Sequence, residues 1–301
     1  MGFRLATATE DFGTDLRLAI RLAAGQQVQG LRLNARTEVR AADFSDSALR
    51  QLRHHVEEHQ LKVAGLYYPS RHAIADAESL EQRLEGIRAA CGIARKLGTS
   101  EVIIRVGRIP DPSQAAPEPS PNMPSNDNVD SLLFPFSFAP SAFSAGGTRQ
   151  PSPADHFSQL CEILNDLAGH ASRYGAALQL IIAGCDPDRV RQLLSRIQAG
   201  PVGLVFDPGA CIMSAANPVA FYRSTWQNVG YIRLRDAQKD VDGGGIETSF
   251  GDGAVDWLEL AAVLVEANPD AWMCLERTGG DQRAADVADA VRRFRSLLPI
   301  A

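Results

Sequence analysis

The sequence has no basic excess, no CxxC pair, no long apolar run and no glycine-rich dinucleotide fingerprint, and each absence removes a class of function. Thirty Lys and Arg against 36 Asp and Glu leave a formal net charge of −6. Nucleic-acid-binding domains usually carry a basic surplus, so DNA and RNA are not expected partners. Cys91, Cys161, Cys185, Cys211 and Cys274 are odd in number and scattered through apolar contexts. That pattern reads as reduced intracellular thiols, not as a disulfide framework. No stretch approaches the roughly 18 apolar residues of a membrane span. Residues Met1 to Ala8 lack a signal-peptide pattern. The expectation is a cytoplasmic protein with no membrane partner.

What is present is a rhythm. Short β-rich runs are predicted at Phe3–Ala8, Val28–Leu33, Leu61–Tyr67, Glu101–Val106, Ala177–Ile182, Val202–Phe206, Val229–Leu234 and Trp272–Leu275. Between them lie segments with apolar residues at helical spacing, such as Leu49, Leu52 and Val56, or Leu80, Leu84, Ile87 and Cys91. Gly98 and Gly175 stop two of these helices, and Asp186-Pro187 opens a third. Strict strand–helix alternation implies a parallel sheet with crossover helices. Eight such units are the number that closes a barrel, so the fold class is α/β, a (β/α)₈ TIM barrel. An open doubly wound sheet is the alternative, but no GxGxxG follows the first strand. Residues 1–301 are read as one domain. One segment, 109–151, is rich in Pro, Ser, Asn and Ala and is far longer than an ordinary barrel loop. It leaves the fourth strand, and its apolar stretch Leu132–Phe138 suits a lid or a homodimer contact.

In a barrel of this kind, chemistry lies at the strand C-termini. Arginines concentrate there: Arg32 and Arg36 around strand two, Arg105 and Arg108 around strand four, Arg233 and Arg235 around strand seven, and Arg277 beyond strand eight. Asn34, His72 and Asp236 lie in the same zone. Guanidinium forks suit an anionic small molecule such as a sugar phosphate or sugar acid. Alternation along the strands puts Arg32 with Asn34, and Arg233 with Arg235, on shared faces. Cys185, beyond strand five, has no evident base beside it and reads as inert packing. Asp240, Asp242 and Gly243-Gly244-Gly245 form either a turn or a flap.

Several motifs carry a resemblance: Val106-Gly107-Arg108-Ile109-Pro110, Phe206-Asp207-Pro208-Gly209-Ala210, Tyr231 through Ala237, Gly251-Asp252-Gly253-Ala254-Val255-Asp256-Trp257, and Leu275-Glu276-Arg277. In order and spacing they resemble the xylose isomerase-like barrel superfamily, which holds the sugar phosphate isomerases and epimerases and is related to the AP endonuclease family 2 fold. The resemblance implies a divalent metal held by a Glu ending strand five, an Asp ending strand six, a His on strand seven and a Glu ending strand eight. It also implies proton transfer by two of those acids. Asp207 and Glu276 match the strand-six and strand-eight acids and are the candidate catalytic residues. The strand-five position falls on Ile182 or an adjacent residue, in a strand with no carboxylate, and the strand-seven position falls on Arg233. Ile cannot coordinate a metal, and Arg does not give up its proton to do so. The expectation is therefore a degenerate metal site with no cofactor. Arg233, Arg235, Asp236, Arg105, Arg32 and His72 are the candidate ligand-binding residues, and the partner is a small sugar or sugar phosphate. Two readings stay open. The chain is either an isomerase- or epimerase-like sugar binder or a non-catalytic barrel, and Arg233 either clamps a ligand or pairs with Asp207 or Glu276. A zinc phosphodiesterase would need several His and acidic ligands at the strand ends, which are missing.

Overall fold

The computed structural model describes residues 3–111, 152–240, 244–267 and 269–298. In chain order the elements are β1 (Arg4–Ala8), α1 (Leu16–Ala24), β2 (Gly30–Asn34), α2 (Asp46–Glu58), β3 (Lys62–Tyr68), α3 (Leu80–Ala94) and β4 (Glu101–Arg108). Then follow α4 (Pro153–Arg173), β5 (Ala177–Ala183), α5 (Pro187–Arg196), β6 (Val202–Phe206), α6 (Pro208–Met213), α7 (Pro218–Thr225) and β7 (Val229–Leu234). A hairpin of β8 (Asp236–Lys239) and β9 (Gly245–Thr248) precedes α8 (Trp257–Ala267), β10 (Trp272–Leu275) and α9 (Arg283–Leu297). All but the hairpin strands form a closed barrel in the order β1-β10-β7-β6-β5-β4-β3-β2. Each pairing in it is parallel, and the ring closes where Ala6 of β1 lies beside Cys274 of β10.

The expected barrel is thus the observed one, and local chemistry explains the element ends. Asp15 caps α1 by accepting from the N–H groups of Arg17 and Leu18 at 2.9 and 3.2 Å. Ser152 and Asp155 form a reciprocal capping box at the start of α4. Asp186 and Asn217 cap α5 and α7, each followed by a proline whose missing N–H costs nothing there. The apolar segment Leu132–Phe138, with the rest of 112–151, lies outside the described residues.

Alternation along the strands sorts side chains into two cores. Leu31, Leu66, Ile104, Leu180, Phe206, Ile232 and Leu275 face outward and are sealed by the helices. Ala6, Ala8, Ala64, Ile103, Val205, Tyr231, Trp272 and Cys274 fill the barrel interior. The filling depends on glycine. A Cβ on Gly30 would stand 2.6 Å from the Trp272 ring, and a Cβ on Gly203 or Gly230 would stand 2.3 Å from the Gln179 amide oxygen. The interior is therefore packed, not open, below its C-terminal rim.

The same sorting separates the two isoleucines near the end of β5. Ile182 packs with the outer apolar layer. Its neighbour Ile181 is the side chain that packs against the interior cluster. Both lie within the expected span of the strand-five position, and neither carries a carboxylate.

The candidate site at the barrel mouth

Strand direction brings Asp207, Arg233 and Glu276 to the C-terminal ends of β6, β7 and β10, which are neighbours in the ring. Arg233 donates from Nε to Glu276 Oε1, and its Nη1 lies 3.6 Å from Asp207 Oδ2. Arg32 reaches across from β2, placing Nη2 2.9 Å from Glu276 Oε2 and 3.2 Å from Glu10 Oε2. Arg235 donates from Nε and Nη2 to Asp207 Oδ2 at 2.9 and 2.6 Å. The other Asp207 oxygen accepts from the N–H of Ala210 at 2.9 Å, so the same carboxylate caps α6. Tyr67 completes the group, with the Arg32 guanidinium 4.7 Å and that of Arg233 5.9 Å from its ring centroid.

These charges are deeply placed. The Glu276 side chain is fully buried, and those of Arg32 and Arg233 are 5% and 8% exposed. Burial alone would push the Glu276 carboxyl up. Arg233, Arg32 and Arg235 outweigh it and hold this acid below the usual carboxylate range. The converse holds for Arg233: burial disfavours its charge, but Glu276 and Asp207 keep it firmly protonated. Asp11 sits beside this network, accepting from the Arg277 N–H at 3.1 Å. Its carboxyl is pushed well up, first by burial and then by the negative charge of Glu276.

The candidates read from sequence divide into two groups. Asp207, Glu276, Arg32, Arg233 and Arg235 converge in one network. Although β7 ends at Leu234 and the chain turns before Arg235, both arginines still reach Asp207. Asp236 does not join them. It is 2% exposed, and its carboxylate accepts from the N–H groups of Ala237, Gly251, Gly253 and Val255 and from the Trp257 indole. Every lone pair is engaged by the protein's own donors, which explains the tight Gly251-Asp252-Gly253 turn. His72 lies on the loop after β3, 3.5 Å from Asp76 and 3.6 Å from Glu78. Arg105 points from β4 toward the Ser70 carbonyl, with Nη1 at 3.4 Å.

Three contributors escaped the sequence reading. Glu10 follows β1 and binds Arg32 and Asn34, the latter at 2.6 Å. Glu247 lies on β9 and accepts from Thr278 N at 2.9 Å, with Arg235 Nη1 at 3.3 Å and Arg277 Nη1 at 3.5 Å. Tyr67 is the third. Acids directly after a first barrel strand are a readable signal for Glu10. Asp236–Lys239 and Gly245–Thr248 pair as an antiparallel hairpin, and residues 241–243, on which the turn-or-flap expectation falls, lie outside the described residues.

Residues 25–297 match the model of the xylose isomerase-like TIM barrel family. Over 103 residues, 30% of this chain, the sequence is 28% identical to an inosose dehydratase of Clostridium beijerinckii; the match spans 35% of that relative's length. A xylose isomerase domain protein from Planctomyces limnophilus superposes with a TM-score of 0.75 at 16% identity, covering 98% of this chain and 97% of the other. The E. coli 3-keto-D-glucoside 4-epimerase superposes with a TM-score of 0.70 at 13% identity over 98% and 100% of the two chains.

Proposed function

The chain belongs to the xylose isomerase-like TIM barrel family, and from that premise we propose that it is a sugar-binding, isomerase/epimerase-like barrel whose mouth works through guanidinium groups. The ligand class is a small sugar acid or sugar phosphate. The observation that carries this reading is the bond from Arg233 to Glu276. It sets a fixed positive charge where the family resemblance implies a metal-ligating histidine.

The residues present do not fit a divalent metal. The Glu276 and Asp207 carboxylates are engaged by Arg32, Arg233 and Arg235. The inward side chain at the upper end of β5 is Ile181. Among the described residues, no three His, Cys, Asp or Glu side chains group so as to hold an ion. Two committed carboxylates make a poor site even before a guanidinium is set between them.

Two features support ligand binding. Arg32 Nε is buried with no hydrogen-bond partner among the described residues, a donor that costs free energy until something accepts from it. Tyr67 offers a ring face beside two guanidinium groups. The second reading, a barrel that binds without catalysing, is favoured by the low-lying acidity of Glu276. A carboxylate held below its usual range is a weak base at neutral pH.

Calorimetric titration with inorganic phosphate, gluconate and a sugar phosphate tests the clamp. At least one anion should bind, and Arg233→Ala should weaken it by about tenfold or more, the worth of a charge-assisted hydrogen bond. Absence of binding by all three would overturn it. Deuterium wash-in from solvent to the C–H beside a bound sugar's carbonyl, followed by NMR, separates catalysis from binding alone.

A further inference from the structure

Cys185 and Cys211 come from different elements, and their sulfurs lie 3.1 Å apart. Cys185 follows the end of β5, and Cys211 lies within α6, one turn beyond Asp207. Both thiols are free. The approach has a local cause. Gly184 takes a φ of +86°, a conformation that side chains rarely adopt, and this turn carries Cys185 toward the neighbouring β6–α6 junction. Cys185 is half-buried, whereas Cys211 is fully enclosed. The hydrogen bond with the Cys185 sulfur and burial both push the pKa of the Cys211 thiol up, so it holds its proton more tightly. The two are therefore unequal: Cys185 is a partly exposed residue and Cys211 a fully enclosed one.

The structure assigns a reversible cross-link here: we propose that Cys185 and Cys211 form a redox-controlled disulfide that ties the end of β5 to the helix capped by Asp207. The oxidant class is a low-molecular-weight disulfide. The Cys185 thiol loses its proton to solvent and attacks one sulfur of that disulfide. Its S–S bond breaks, the first small thiol leaves, and Cys185 is held as a mixed disulfide. The Cys211 thiol then loses its proton and attacks the Cys185 sulfur, expelling the second small thiol. In sum, two protein thiols are oxidised to one disulfide, and the small disulfide is reduced to two thiols. The sulfurs need to approach by about 1 Å to reach bonding distance, a shift within the reach of a loop and a short helix. A separation of 26 positions between the two cysteines means that the link closes a loop of intermediate length.

The test uses the full chain. After incubation with oxidised glutathione and denaturing alkylation, the count of modified cysteines should fall from five to three. A tryptic digest should yield one new species joining the peptide Tyr174–Arg189 to Ile197–Arg223, lost on treatment with dithiothreitol. The oxidised protein should melt a few degrees higher than the reduced one. In the Cys185→Ser variant the cross-linked peptide should vanish, and Cys211 should carry no glutathione in the folded state. Alkylation of all five cysteines after oxidation would overturn the proposal. So would stable glutathione on Cys185 with no transfer to Cys211, or a cross-link joining any other pair. The readout is independent of anion binding at the mouth, so either proposal can fail without the other.

Discussion

Glu276 carries more of the mouth than any other side chain. It is a fully buried anion between two buried cations, so removing its charge leaves Arg32 with Glu10 and Arg233 with the more distant Asp207. Breaking one partner of a buried ion pair costs about 3–5 kcal/mol. Glu276→Gln should therefore lower stability by that order at pH 7, measured by urea unfolding. The pH dependence follows in sign. The folded state holds this carboxyl below its unfolded value. Its contribution is thus complete above the unfolded value near 4.3 and is lost as pH falls through the lower folded value. The gap between wild type and Glu276→Gln should close at acid pH. A gap that persisted unchanged to pH 2 would mean that the charge is not what holds the network.

At the scale of elements, Asp236 shows how a residue at a strand end can serve structure instead of ligand. Five donors from β8, the turn at 251–253, residue 255 and α8 meet on one carboxylate. A Cβ on Gly253 would stand 2.0 Å from its Oδ1, so the turn is moulded around this acid. Asp236→Ala leaves those donors short of an acceptor, and unsatisfied buried donors cost roughly 1–3 kcal/mol each. The expected result is faster amide exchange in the hairpin and in residues 250–257, with the opposite half of the barrel unaffected. Sequence alone did not separate Asp236 from Arg235, because both lie at the end of the seventh barrel strand. The distinction needs the turn at 251–253, whose two glycines bring two N–H groups back onto the acid, with that of Val255 beyond them. The same limit explains Ile182 and Ile181. Strand position was readable from the β-branched run, but which of two adjacent isoleucines faces inward depends on register, and a one-residue shift exchanges the faces.

For the whole molecule, eight strands and most element ends were legible in the sequence, because alternation, caps and glycine stops act over a few residues. The Asp207–Arg233–Glu276 meeting was legible only through the family resemblance, since these residues come from β6, β7 and β10 and no local rule joins them. Glu247 was missed for the same reason, since its partners Arg235, Arg277 and Thr278 lie on other elements. The molecule as a whole predicts its own metal content. Elemental analysis of purified protein should find far less than one Mn, Zn or Co per chain, and addition of these ions should leave the melting temperature unchanged. One tightly bound ion per chain would refute the guanidinium reading of the mouth.

Closure of the ring between β1 and β10 has a consequence for how the chain is made. A ribosome releases β10 last among the barrel strands, and that strand fills the gap between β1 and β7. Until it emerges, two sheet edges stand open to wrong partners. Arg32 and Arg233 meanwhile await the acid that follows β10. The final strand thus delivers the last hydrogen-bonding edge and the missing counter-charge in one stroke, so a nascent chain halted before it would be a candidate for chaperone capture.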